Sequence, residues 1–141
     1  MIKFYINSVM KSYIFDTSFL ISLLDIDDIN HKKALDFISD LEIWSNKNKF
    51  FINEIILNET YTVLNYKKWF DFLEKFDDFL DQIEIIYLSW NNDEYISFFK
   101  LLSWKISVAD SSVLYDSLKY NQEMLTFDKQ MIKIYENYDL F

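Results

Sequence analysis

The sequence predicts a three-layer α/β/α domain built on a central parallel sheet. Two observations carry that prediction. Short apolar runs at residues 12–15, 50–52, 83–88 and 124–127 alternate with longer segments of helical periodicity, which is the pattern of repeated βαβ units covered on both faces. The first and last of these runs lead into a carboxylate, Asp16 and Asp128. In open α/β sheets, ligand chemistry sits just beyond the carboxyl ends of the strands.

The elements follow in order. Residues 12–15 read as a buried strand delivering Asp16, with Thr17 or Ser18 as cap of a short helix over 19–24. Asp25, Asp27, Asp28 and Asn30 make a polar turn. A helix over 31–46 has Ala34, Leu35, Ile38, Leu41 and Ile43 or Trp44 inward. The strand at 50–52 leads to Asn53, a good N-cap for a helix to about Asn65. The next helix, over 67–81, keeps Trp69, Leu73, Phe76 and Leu80 on one face, with Phe72 and Phe79 beside it. Residues 83–88 form a strand, and 91–104 a helix with Tyr95, Phe98, Phe99 and Leu102 inward. Ser107 and Asp110 have capping-box form at the head of a helix running to Tyr120. A strand at 124–127, a helix over 129–135 and an edge strand at 138–141 complete the chain. Residues 1–141 read as one domain. Residues 1–9 are either an N-terminal extension or, because Ile2, Phe4 and Ile6 alternate, an extra strand.

Composition narrows the chemistry. The apolar fraction of 51% argues against disorder. No apolar run nears the roughly eighteen residues of a membrane span. The start also lacks a signal-peptide pattern, so the expected location is the cytoplasm. With no cysteine and a single histidine, His31, thiolate and His-rich metal sites and a His-based triad drop out. Any metal is then held by oxygen, which suits Mg2+ or Mn2+. The absence of glycine rules out a P-loop and a dinucleotide-binding turn. A net charge of −9 argues against broad nucleic-acid binding. A polyanionic substrate would need local basic contacts, of which Lys67, Lys68, Lys105 and Lys129 are the candidates.

Four of the 23 acidic residues stand out. Asp16 and Asp128 follow strands. Glu59 shares a helix face with Ile55, Ile56 and Val63, where a carboxylate is costly to desolvate unless it is paired or bound to metal. Asp110 sits at the third position of its helix. Each has a plainer reading: an N-cap, a rim residue or a capping-box partner. Together, in a topology that can converge them, they read as a metal site. Clustered carboxylates raise one another's pKa, and a divalent cation reverses the effect. Such a site suits phosphodiester hydrolysis by metal-activated water, with no Ser or Thr nucleophile. Ser18 and Thr126 are the supporting residues, Thr126 by hydrogen-bonding a carboxylate or a metal-bound water.

The pieces Ile14-Phe15-Asp16-Thr17-Ser18, Asn58-Glu59, Ser107-Val108-Ala109-Asp110-Ser111-Ser112 and Leu125-Thr126-Phe127-Asp128 occur in an order and spacing that resembles the PIN-domain ribonucleases. His31 with Ala34 resembles a structural element of that family. The resemblance implies a PIN-like α/β/α fold and Mg2+- or Mn2+-dependent cleavage of single-stranded RNA, with Asp16, Glu59, Asp110 and Asp128 as catalytic and metal-binding positions. It also implies a toxin of VapC type, homodimeric and paired with an antitoxin. Two rival readings are a non-catalytic PIN-fold interaction module and an Asp-nucleophile phosphatase of haloacid-dehalogenase type. The latter expects a second Asp where this chain has Ser18. Aromatic residues make up 20% of the chain, and most fall on inward helical faces. Trp69 and Trp90 are the candidate base-stacking platforms.

Overall fold

The computed structural model describes residues 10–45, 47–67, 70–103 and 105–138. Four strands, β1 (Ser12–Phe15), β2 (Lys49–Asn53), β3 (Ile85–Leu88) and β4 (Glu123–Leu125), form one sheet. Its order is β3-β2-β1-β4, and every pairing is parallel. Helices α1 (Thr17–Leu24), α2 (His31–Asp40), α3 (Glu54–Tyr66), α4 (Phe70–Gln82), α5 (Asn92–Leu101), α6 (Val108–Tyr120) and α7 (Lys129–Asn137) flank it. The predicted α/β class and parallel sheet are therefore observed. No helix among the described residues is long and apolar enough to cross a membrane.

The topology matters for function. From β1 the chain moves outward to β2 and β3, then returns to pair β4 on the other side of β1. The connections therefore reverse direction between β1 and β4, and a crevice opens at the carboxyl ends of strands where they do so. Phe15 is in register with Leu125, and the Asp16 N–H donates to the Leu125 carbonyl at 3.0 Å. Asp16 and Thr126 are thus the first residues beyond the two strand tips at that crevice.

The core lies on the sheet faces. Ile14, Phe15, Leu20, Ile52, Ile56, Leu64, Phe76 and Met131 are buried in one cluster, each side chain contributing about 1.5–3 kcal/mol. Tyr13, Phe50 and Phe15 stack across β1 and β2 at 5.6 and 5.9 Å, and Phe79 meets Phe15 edge-on. A second cluster gathers Phe98, Leu102, Ile106 and Leu114. The expected inward residues of α5, Tyr95, Phe98, Phe99 and Leu102, are all buried. On α4 only Phe76 is fully buried, with Phe72, Leu73, Phe79 and Leu80 half-buried beside it. Trp69 and residues 1–9 lie outside the described residues.

Several boundaries differ from expectation. The α2 helix ends at Asp40 rather than Asn46. The Ile43 N–H bonds the Ile38 carbonyl and the Glu42 N–H bonds that of Ser39, around a left-handed Glu42 at φ 47°. This is a Schellman stop, sealed by burial of Ile38 and Ile43. Leu35, expected inward, is exposed; of the alternatives Ile43 and Trp44, Ile43 is the buried one. Asn121 ends α6 in the same conformation. A chain without glycine must place Glu42, Ser103 and Asn121 at positive φ. The strand expected at 83–88 is β3, an edge strand with Ile86 and Tyr87 exposed. Of the edge strand expected at 138–141, Tyr138 is not in a strand, and the remainder lies outside the described residues.

Candidate functional site

Asp16 occupies the N-cap position of α1, yet its side chain makes no capping hydrogen bond. Neither Thr17 nor Ser18 caps the helix, as expected from sequence; both fall inside it. The Ser18 hydroxyl donates instead to Asp16 Oδ2 at 2.8 Å, and the Thr126 hydroxyl donates to the same oxygen at 2.7 Å. The Phe127 N–H donates to Ser18 Oγ, and the Asp128 N–H to Thr126 Oγ1. The two supporting residues read from sequence therefore both hold Asp16, and they tie it to the loop after β4. Asp16 is 2% exposed. Its second oxygen, Oδ1, is buried with no hydrogen-bond partner. Burial pushes its pKa up; the Thr126 and Ser18 hydroxyls and the Thr17 backbone N–H oppose this, and the Asp128 charge adds to it.

Asp110 lies in the first turn of α6. Its N–H donates to Ser107 Oγ at 3.0 Å, the cap expected from sequence. Its carboxyl is pushed up to about 6, first by burial and then by the charge of Asp16. Ser107 holds it down, while Asp128 and Glu59 push it up further. Asp110 therefore feels all three other carboxylates of the sequence-derived set. Asp128 does not follow its strand directly. The β4 strand stops at Leu125, whose carbonyl still accepts the Asp16 N–H, and the chain then leaves the sheet. Thr126 is the first residue past the strand, and Asp128 caps α7 through Oδ1, which accepts from Gln130 and Met131. Glu59 is half-buried and lines an open groove with Ile55, Asn58, Thr62, Val63 and Trp90. Among the described residues, no three His, Cys, Asp or Glu side chains stand close enough to hold one metal ion as they lie.

The residues nonetheless fit a divalent cation in their chemistry. The donors are carboxylate oxygens, the hard ligands that Mg2+ and Mn2+ take. Asp16 Oδ1 is a buried acceptor lacking a donor, and nearby acids raise the pKa of Asp110 rather than relieve it. The Lys119–Glu94 and Lys47–Glu42 ion pairs seen among the described residues do not involve these acids. His31, read from sequence as part of a structural element, has a structural partner: its Nδ1 lies 2.8 Å from the Ser22 carbonyl.

Sequence reasoning missed a second polar cluster. Asn53, Tyr95, Ser112 and Asp116 are all buried. Asn53 Nδ2 donates to Ser112 Oγ at 3.0 Å and to Asp116 Oδ2 at 2.9 Å. The Tyr95 hydroxyl lies 2.8 Å from both Asp116 oxygens. One signal was available: Asp116 is seven residues after Ala109 and three after Val113, on the inward stripe of α6.

The PIN domain family matches residues 13–137. No curated protein sequence matches the chain. Among solved structures, VapC20 of Mycobacterium tuberculosis, described as a sarcin-ricin loop cleaving toxin, is 16% identical with a TM-score of 0.71, over 86% of this chain and 93% of that one. VapBC2 of Rickettsia felis, solved on a DNA fragment from its promoter, is 21% identical with a TM-score of 0.61, over 91% and 93%. PAE2754 of Pyrobaculum aerophilum is 15% identical with a TM-score of 0.60, over 88% and 86%. At these identities the structures speak for the fold, which is that of VapC toxins, and the family match over nearly the whole described chain places this protein in the PIN-domain family.

Proposed function

We propose that this protein is an endoribonuclease that cuts single-stranded RNA with the aid of Mg2+ or Mn2+, and that it acts as the toxin of a toxin–antitoxin pair. The observation that supports this reading best is Asp16 Oδ1, a buried and unpartnered carboxylate oxygen at the sheet's switch point, with Asp110, Asp128 and Glu59 as its acidic surroundings. Asp16, Glu59, Asp110 and Asp128 are the proposed metal-holding side chains. A bound divalent ion would polarise the phosphoryl oxygen and activate the attacking water. Ser18 and Thr126 fix Asp16 Oδ2, which leaves Oδ1 as the oxygen proposed to meet the cation. Asp128 is tethered to α7 through Oδ1, and its other oxygen is the one proposed to take part. Lys105 and Lys129 are exposed on the segments leading into α6 and α7, and Gln130 Nε2 bonds the Lys105 carbonyl between them. They are the proposed phosphate contacts in an otherwise acidic protein.

The test is incubation of the chain with unstructured and structured RNAs, with Mn2+ and with EDTA. Mn2+-dependent cleavage of single-stranded RNA is expected. At a hundredfold excess of metal over its Kd, linkage should also stabilise the protein by about 2.7 kcal/mol, read as a rise in Tm. Metal binding without cleavage of any RNA would favour a non-catalytic PIN-fold module, and no Tm shift would reject the metal site. The VapBC2 structure supports an antitoxin partner here, and a homodimer belongs to the same proposal. Co-purification with the product of a neighbouring reading frame, and the mass of the free protein in solution, test these two points.

A further inference from the structure

The buried cluster around Asp116 lies between the two helices that carry proposed site acids. Glu59 is on α3 and Asp110 on α6. Asn53 caps α3, its Oδ1 accepting the Ile56 N–H at 2.9 Å. The two bonds from its Nδ2 both go to α6, to Ser112 and to Asp116. Every polar atom of that amide is therefore committed, which fixes its orientation. Ser112 is two residues beyond Asp110, and its hydroxyl also bonds the Ala109 carbonyl at 2.6 Å. The Tyr95 hydroxyl of α5 closes the cluster from the other side. Asp116 is 1% exposed, Asn53 and Ser112 0%, and Tyr95 2%. A carboxylate that deep is costly unless fully satisfied, and satisfied networks of this kind lock one arrangement of the elements they join.

We infer that Asp116 is a positioning residue: by holding the Asn53 amide it sets α3 against α6, and with them the separation of Glu59 from Asp110. Asp116 touches no proposed ligand and acts through Asn53. The inference rests on the metal-dependent reading above. Outer contacts of this sort typically change metal affinity by about 10–100-fold when removed. Tyr95 serves as the internal control. Its hydroxyl supports Asp116 but does not touch Asn53, so Tyr95→Phe weakens the cluster while leaving the Asn53–Asp116 bond in place.

The experiment uses the full chain and Mn2+ titration by calorimetry, at a temperature well below the Tm of every variant, with single-turnover RNA cleavage alongside. Asp116→Ala is expected to weaken Mn2+ binding at least about tenfold and to lower the cleavage rate at saturating RNA, while Tyr95→Phe lowers Tm but keeps Mn2+ affinity within about twofold. Asn53→Asp sets a carboxylate against the Asp116 carboxylate, acceptor against acceptor, while keeping an N-cap, and should resemble Asp116→Ala. The swap Asn53→Asp with Asp116→Asn restores a donor–acceptor pair and an N-cap, and should recover affinity. It also keeps the test open if Asp116→Ala does not fold. Wild-type Mn2+ affinity in Asp116→Ala or Asn53→Asp overturns the inference, as does an equal loss in Tyr95→Phe or a swap without recovery. If the wild-type chain itself binds no Mn2+, the metal-dependent reading fails and this inference with it; if the wild-type chain binds and cleaves and only the variants disagree, the inference fails alone.

Discussion

Asp16 and Asp116 are both removed from solvent, and burial raises the pKa of each. Their surroundings differ in one respect. Both Asp116 oxygens accept hydrogen bonds, from Asn53 and Tyr95. In Asp16, Oδ2 accepts from two hydroxyls while Oδ1 accepts nothing. The Asn53 and Tyr95 donors oppose the desolvation of Asp116 from within the protein. At Asp16 one oxygen is left without a donor, and further carboxylates lie nearby. A buried acid that is satisfied from within is a structural tie; one that is left short of a donor beside other acids is poised for a cation from outside.

Substitution separates the two. In Asp16→Asn the amide oxygen can keep the Ser18 and Thr126 bonds, and a buried charge disappears. We expect RNA cleavage to fall below detection and the Mn2+-induced rise in Tm to vanish, with the metal-free Tm unchanged or higher. Asp116→Ala leaves the Asn53 and Tyr95 donors buried without an acceptor, at about 1–3 kcal/mol for each, so its metal-free Tm should drop by several degrees. Thermal scans with and without Mn2+ read both. Cleavage by Asp16→Asn at the wild-type rate would remove Asp16 from the site.

The same contrast explains what was legible in the sequence. A parallel strand buried on both faces is an unbroken apolar run, so β1 and its terminal Asp16 were readable from four residues. Caps depend on side-chain type, so Asn53 and Ser107 were readable as well, and each accepts the capping bond its type predicts. Helix ends were read unevenly: those of α3 and α6 fall at or within one residue of the expected place, whereas α2 stops six residues early, at a left-handed Glu42 where glycine would normally mark the end. The end of β4 was misread because Thr126 and Phe127 have strand propensity; the pairing of β1 with Leu125 decides where the ladder stops. Asp116 was passed over among 23 acids, because an acid on an inward stripe is informative only once α3 and α5 are known to bring donors to it. The acids of the candidate site stood out first by local pattern, at strand ends, on an apolar helix face and at the third position of a helix, and order and spacing, which reflect topology, then joined them into one set.

The pH dependence of stability sharpens the comparison. The pKa values of Asp16, Asp110 and Asp116 are raised by folding, that of Asp110 to about 6. Between the unfolded value of about 3.9 and the folded value, the native state binds more protons than the unfolded state. Stability therefore falls as pH rises through that window. The Tm difference between the metal-free wild type and Asp110→Asn should move in favour of the variant from about pH 4 to pH 7. Saturating Mn2+ should reverse the trend for the wild type, since the ligands bind metal only when ionised. A Tm difference that stays flat across the window would mean that Asp110 does not feel the other acids.

The smallest expected effect compares two caps. Ser107 accepts the Asp110 N–H at 3.0 Å, and Asn91 accepts the Glu94 N–H at 3.2 Å. Either one changed to Ala should cost about 1 kcal/mol. Ser107 also lowers the pKa of Asp110, whereas Asn91 heads α5, which carries none of the proposed ligands. Ser107→Ala should therefore let Asp110 titrate higher still, weakening Mn2+ binding at pH 6 but not at pH 8, where the carboxyl is ionised in either protein. Asn91→Ala should lose the same stability with no change in Mn2+ affinity at either pH. Equal Mn2+ affinities for the two variants at pH 6 would show that Ser107 acts on the helix alone. A pH-dependent gap between them would show that the cap which starts α6 also tunes the acid it presents.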